Sequence, residues 1–413
     1  KIVAEPSDSV KFTLAGDYLR NKDNPVGWRI ADGTIGTGLN RGPGVPGTPA
    51  NAIVADDHDT TANQNSLTKQ RIRGLSLTGE FGLGFATLTS ISAYRKSSTN
   101  SDFDVDGGPL PLIRIQFLSG MESYQQELRL ASDSDGPLSW QVGGFYLKTK
   151  AVNTSFFSGV AFSPVAGQDI DSKLDSESVA VFGELTYELT PTTKVTGGIR
   201  YTEDKRDFDA SQLLVTTTGV RFPAPTAGVT VPSGRPLATP GFQRSKLKYN
   251  EVTWRLALRQ ELTPDISVYA SANRGFKSGS FSLQNPLNDP YQPQTIMAYE
   301  GGIKSELFDR RLRLNLSAFH YKIDDYQVRS AAVANPGSSL VLNAATVKVD
   351  GVELEFEAAP ADALRLFGGV TWLNSRYSRF GGPGQAVQGP IVYPTVASGQ
   401  TLANSCLAPS LGS

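Results

Sequence analysis

The sequence predicts an all-β protein, an antiparallel up-and-down barrel that crosses a membrane with its strands. Apolar residues recur with a period of two almost throughout, and short turns alternate with long polar loops. The strand-like runs are about 10 to 16 residues long, which matches or exceeds the ~9 to 11 that a tilted strand needs to cross a bilayer core. Strands of soluble sheets run about 5 to 6 residues, and an apolar sheet face there needs a covering layer. No segment for such a layer is visible in the sequence.

The elements follow in order. Val10, Phe12 and Leu14 stand against Lys11, Thr13 and Asp17, and RIRGLSLTGE (71 to 80) reads as a strand running into a short turn. In 178 to 189, Val179, Val181, Gly183, Leu185, Tyr187 and Leu189 alternate with Ser178, Glu184, Thr186 and Glu188. The alternation resumes across LTPTTK, with Val195, Gly197, Ile199 and Tyr201 against Lys194, Thr196, Arg200 and Thr202, so the two runs form a hairpin. Val252, Trp254, Leu256 and Leu258 oppose Glu251, Thr253, Arg255 and Arg259, and Leu312, Leu314 and Leu316 oppose Arg311, Arg313 and Asn315. Val352, Leu354 and Phe356 alternate with Glu353, Glu355 and Glu357, and a one-residue slip relative to Val347 and Val349 predicts a bulge at Gly351.

Short turns are expected at 5 to 9, 79 to 84, 132 to 137, 190 to 193, 263 to 265, 308 to 311 and 359 to 363. Long Gly/Pro/Asn-rich loops are expected near 20 to 67, 96 to 121, 152 to 175, 208 to 246, 277 to 293, 330 to 345 and 378 to 413. One rim is therefore trimmed and the other elaborate, around roughly fourteen strands. Tyr94, Tyr146, Tyr187, Tyr201, Phe319, Tyr321 and Tyr377 fall toward strand ends, where interfacial aromatic girdles lie.

Composition narrows the function. With 39 Lys+Arg against 40 Asp+Glu, the net charge of -1 gives no electrostatic reason to bind nucleic acid. No run approaches the ~18 apolar residues of a spanning helix. A single cysteine, Cys406, excludes an internal disulfide framework and thiolate metal sites, and two histidines, His58 and His320, leave little for imidazole chemistry. Asp102, Asp104, Asp106 and Gly107 imitate a calcium loop, but its twelfth position would be Ile113 where a bidentate Glu is required. His58 has acidic neighbours and no Ser or Cys elbow, so no catalytic residues, metal site or cofactor are expected.

Several segments are similar to a known family: ESYQQELRLASDSDGPLSWQVGGFYL, SESVAVFGELTYELTPTTKVTGGIRYTEDKR, ISVYASANRGFKSGSF, AYEGGIKSELFDRRLRLNLSAFHYKIDDYQV and DGVELEFEAAPADALRLFGGVTWLNSRY. They resemble the barrel region of TonB-dependent receptors of the Gram-negative outer membrane, of the iron-complex type. The resemblance implies a fragment of a barrel of about twenty-two strands, embedded in outer-membrane lipid and filled by an N-terminal plug. It also implies import of an iron-siderophore complex or similar small ligand with energy delivered by TonB. Residues 1 to 413 would then be the barrel domain, incomplete at both ends and without the plug, and Cys406 a loop thiol whose partner lies beyond the C-terminus.

Strand alternation turns Glu184, Arg200, Arg255, Glu300, Lys304 and Glu353, with Arg129, Arg259 and Glu355, toward a lumen, and so many charges suit a wide, wet or plug-filled one. Plug contact and plain solvated wall are both open for each of them. Ligand capture is expected on the long-loop side, at Trp28, Arg29, Phe117, Phe156, Phe157, Arg244, Tyr291 and Arg329. Arginine and aromatic side chains suit anionic or flat metal complexes. The alternatives are a passive porin-like diffusion channel and a surface adhesin or binding β-protein.

Overall fold

The structure is a computed structural model of the chain, and it describes residues 1–24, 66–104, 114–133, 136–159, 166–223, 241–284, 286, 289–331 and 339–380. The strands are β1 Ile2–Ser7, β2 Val10–Asp23, β3 Leu67–Gly82, β4 Ala86–Asp104, β5 Arg114–Ser132, β6 Leu138–Ser158, β7 Gly167–Thr190 and β8 Thr193–Val215. They continue with β9 Arg221–Pro223, β10 Phe242–Thr263, β11 Ile266–Lys277, β12 Gln294–Leu307, β13 Leu312–Ala331, β14 Ser339–Ala361 and β15 Leu364–Phe380. All belong to one 15-stranded sheet in which neighbours in sequence are neighbours in space, and the short β9 pairs only with β8. Among the described residues no pair closes β1 onto β15.

The seven short turns fall where the sequence places them, and two of the longer ones use left-handed backbone. Gly84 sits at φ 87° in the β3–β4 turn. In the β12–β13 turn Phe308, Asp309 and Arg310 are all left-handed, at φ 55°, 53° and 65°, and the Arg311 N–H donates to the Phe308 carbonyl at 3.0 Å.

The strands run further than expected. β7 has 24 residues and β8 has 23, so the segments assigned to loops near 96 to 121 and 152 to 175 are largely ladder, and the one near 208 to 246 is ladder at both ends. The physical reason is that the outer face there carries Lys, Asp and Glu in place of aliphatic residues, so the apolar-out half of the alternation disappears from the sequence while the backbone hydrogen bonds continue. Outward cross-strand ion pairs such as Lys246–Asp207 and Lys248–Glu203, each 2.8 Å, occupy these upper strands.

Below them the outer face is apolar and uncovered. Val181 is 60% exposed, Leu185 54%, Ile199 61% and Leu256 54%, and among the described residues no second layer lies over them. From Val179 to Leu189 this band spans about 33 Å along the strand, or about 25 Å of height at a tilt of roughly 40°, the height of a hydrocarbon layer. Tyr94, Tyr187 and Tyr201 are exposed on this face, and Tyr146 lies 6.4 Å from Tyr124 beside them.

Two expectations are corrected. Phe319 and Tyr321 stack on each other at 4.6 Å on the inner face, in the cross-strand rows of Gly351 and Val349, and Tyr377 pairs with Val347 in the same inner set. They are lumen aromatics and belong to no girdle. Nor does a bulge occur at Gly351, because β13 and β14 pair without interruption from Leu312↔Ala358 to Ile323↔Val347. The register shifts instead lie between Ile323 and Gln327, next to Asp325 at φ 54°. Gly351 answers to crowding: a Cβ there would stand 2.3 Å from the Phe319 ring.

Candidate functional site

What buried core there is lies on the inner face, near the long-loop rim. The described residues between β11 and β12 fold across this face. Phe281 stacks flat on Phe208 of β8 at 4.5 Å and 7°, and the Ser172 hydroxyl donates to the Leu283 carbonyl at 2.5 Å. Ser280 and Tyr291 exchange two backbone hydrogen bonds of 3.0 Å, pinching the excursion into a closed strap. Its other side is tied to β13 and β14. Gln327 Nε2 donates to the carbonyls of Ser278 (3.1 Å) and Gln292 (3.0 Å), and Asn343 Nδ2 donates to the carbonyls of Gln292 (2.8 Å) and Asp325 (2.7 Å). The strap is thus fixed at both walls.

Between strap and wall lies a cavity of about 510 Å³, lined by Phe281, Leu283, Gln284 and Tyr291 from the strap, Arg329 and Val341 from β13 and β14, and Met121 and Asn153 from β5 and β6. Its floor is mixed apolar and hydroxyl, with one guanidinium at the edge. Such a chamber can hold a flat or partly anionic small molecule by stacking and by charge.

The eight residues expected to capture ligand divide. Trp28 and Arg29 lie outside the described residues. Tyr291 and Arg329 meet in the chamber. Phe117 and Phe157 pack edge to face at 6.1 Å on the inner face with Ile115 and Ile170, further along the same rim. Phe156 and Arg244 fall on the outer face, because each is offset by one residue from an inward neighbour. Arg244 Nε there donates to Asp209 at 3.1 Å. Sequence reasoning missed Phe281, Leu283, Gln327 and Asn343, since nothing in a polar Pro/Asn-rich loop signals that it folds inward.

The six residues expected to face a lumen share one face of the sheet by register, with Glu184 and Arg255 both opposite Gly198. Arg200 lies between the Phe145 and Phe182 rings, 5.1 and 5.5 Å from their centroids, and its Nε donates to Thr202 at 3.2 Å. Glu300 accepts the Tyr269 hydroxyl at 2.6 Å, and Lys304 stands 5.7 Å over that ring. Arg259 is opposite Tyr269, and Glu353 and Glu355 follow on β14 opposite Ser317 and Asn315.

The rim itself is braced by charge. Arg114 donates to Asp102 through Nε at 2.8 Å and through Nη2, and Gln116 adds a bond of 3.2 Å. The Arg114 hydrogen bond holds the Asp102 carboxyl below the usual carboxylate range against a smaller opposing effect of burial. Asp102 is therefore committed to Arg114, while Asp106 and Gly107 lie outside the described residues. Among the described residues no group of three or more His, Cys, Asp or Glu side chains could hold a metal ion.

Long antiparallel strands, an uncovered apolar band of bilayer height and a strapped chamber at the elaborate rim are features of the wall of a large transmembrane β-barrel. The chain matches the family described as TonB dependent receptor-like, beta-barrel, over residues 11–404, and it belongs to that family. Among curated relatives it is 29% identical over 128 residues to the metal-pseudopaline receptor CntO of Pseudomonas aeruginosa, covering 31% of this chain and 17% of that protein. It is 24% identical over 233 residues to the pesticin receptor of Yersinia enterocolitica, covering 56% and 30%. Among solved structures it is similar to the ferric yersiniabactin uptake receptor FyuA of Yersinia pestis, with TM-score 0.66, 17% identity, and 90% and 50% of the two chains covered. It is also similar to the ferric-catecholate import receptor Fiu of E. coli, with TM-score 0.62, 15% identity, and 90% and 56% covered. The chain spans about half the length of these solved receptors.

Proposed function

We propose that this chain is the barrel wall of an outer-membrane receptor that imports a siderophore-type metal complex by energy-coupled transport. The observation that carries the reading is the chamber held by the strap at the elaborate rim of a barrel of this family. Arg329 supplies charge to an anionic complex, Tyr291 and Phe281 supply flat surfaces, and Phe117 and Phe157 extend the aromatic lining along the rim.

In this reading a plug domain fills the lumen against Glu184, Arg200, Arg255, Glu300, Lys304 and Glu353, and TonB pulls on the plug from the other side. No covalent chemistry is involved. The names of relatives support the ligand class, since they include a metal-pseudopaline receptor and a ferric yersiniabactin uptake receptor.

A deletion strain grown under iron or zinc limitation on a panel of metal–siderophore complexes tests the proposal. At least one complex should restore growth only when the gene and TonB are both present. Growth that is independent of TonB would replace the receptor by a passive channel.

A further inference from the structure

We propose that a second pocket, at the base of the strap, binds an oxyanion: a carboxylate or phosphate group carried by the imported ligand. The proposal deepens the import reading and rests on it for the identity of the bearer. This cavity, of about 360 Å³, lies beneath residues 277–280 and is walled by Thr149, Ser176 and Ser178 of β6 and β7, Arg206 of β8, and Lys277 and Tyr291. Thr149, Ser176 and Arg206 form one cross-strand row, so three neighbouring strands present hydroxyl, hydroxyl and guanidinium at one level. The first chamber offers a single cation, Arg329, beside Met121, Phe281, Leu283 and Val341.

The donors are in excess of the acceptors. Arg206 is fixed by Asp204 at 3.5 Å and by the Lys205 carbonyl at 3.0 Å, contacts that use at most two of its five N–H groups. Lys277 is exposed to the pocket and makes no ion pair among the described residues. Two cations thus face one carboxylate. The hydroxyls of Tyr249 and Ser278 are buried and have no hydrogen-bond partner among the described residues. Such groups are destabilising when left unpaired, and an oxygen acceptor entering the pocket would engage Ser278 directly and Tyr249 beside it.

Backbone spacing supports the same assignment. A Cβ on Gly279 would stand 2.7 Å from the Tyr249 hydroxyl and 2.4 Å from the Tyr291 carbonyl, so only glycine lets the strap descend onto this wall. Tyr291 lines both cavities, and a ligand whose flat body occupies the chamber would have an anionic arm within reach of Arg206 and Lys277. A planar guanidinium beside an ammonium and several hydroxyls is the donor set that carboxylates and phosphates take.

Calorimetry on the full-length protein in detergent, with inorganic phosphate as probe at constant ionic strength, tests this. Saturable binding is expected, weakened about tenfold by Lys277→Gln, the loss of one charge-assisted contact, and weakened also by Ser278→Ala. The outer-face control Lys246→Gln should bind as the unsubstituted protein does. Absence of saturable binding, or equal affinity in Lys277→Gln, overturns the proposal. Because the readout needs neither TonB nor an imported ligand, its failure leaves TonB-dependent growth untouched, and failure of that growth leaves the phosphate isotherm unchanged.

Discussion

Replacing Leu185 by arginine puts a guanidinium on the outer face close to the middle of the apolar band, whose ends on β7 are Val179 and Leu189. Its position lies one residue from the midpoint, or about 2.5 Å in height at a strand tilt of roughly 40°, whereas Val179 lies about 12 to 13 Å away. An arginine near the bilayer midplane costs about 2 to 4 kcal/mol in a transmembrane barrel, falling to about 0 to 1 at the interface. Leu185→Arg should therefore destabilise by about 2 to 4 kcal/mol and Val179→Arg by no more than about 1. The assay is reversible urea unfolding of the full-length protein in lipid vesicles, followed by tryptophan fluorescence and by the heat-dependent shift of electrophoretic mobility. Equal costs at the two positions, or no cost at Leu185, would refute the lipid assignment of this face.

Three further outcomes follow from the structure. Phe208 is fully buried under Phe281, so Phe208→Ala removes a contact worth about 3 to 5 kcal/mol in a packed core; hydrogen exchange at the Ser280 and Tyr291 amides should accelerate, and unchanged protection would show that the stack does not hold the strap. Asp102 is held below the usual carboxylate range, so the stability it draws from Arg114 is present at neutral pH and lost as pH falls through its depressed pKa. Arg114→Gln should lower the melting temperature at neutral pH by an amount that shrinks in acid, and a difference that grows in acid would contradict the sign. Arg310 is left-handed at φ 65°, so Arg310→Gly should stabilise by about 0.5 to 1 kcal/mol after loss of its exposed pair with Glu306; destabilisation in the same unfolding assay would count against strain at that turn.

Which parts of this architecture show in the sequence depends on where lipid, water and protein meet. Between Val179 and Leu189 one face meets hydrocarbon and the other does not, so the alternation is plain and the hairpin to Val195 through Tyr201 can be read directly. Above Glu203 and Lys248 the outer face carries charges instead of aliphatic residues, the apolar-out contrast vanishes, and real strands look like loops. Phe319 and Tyr321 mislead for the opposite reason, since an aromatic near a strand end can serve a girdle or a lumen and only register decides. At the site, Tyr291 and Arg329 were identifiable as residue types suited to flat anionic ligands. Phe156 and Arg244 have the same chemistry but lie one position out of phase. The strap was not legible, because its fixings are long-range: Ser172 to Leu283, Phe208 to Phe281, and Asn343 to Gln292 join residues dozens of positions apart or more.

The long β7–β8 hairpin has a consequence for where capture takes place. At about 3.3 Å per residue and roughly 40° of tilt, its 24-residue strand rises some 60 Å, of which only about 25 Å lies in hydrocarbon. The upper part stands clear of the apolar band, its outer face carrying salt-linked pairs such as Lys246–Asp207 and Arg244–Asp209. In the import reading proposed above, a solute arriving from the medium meets the ends of these strands before it meets the bilayer.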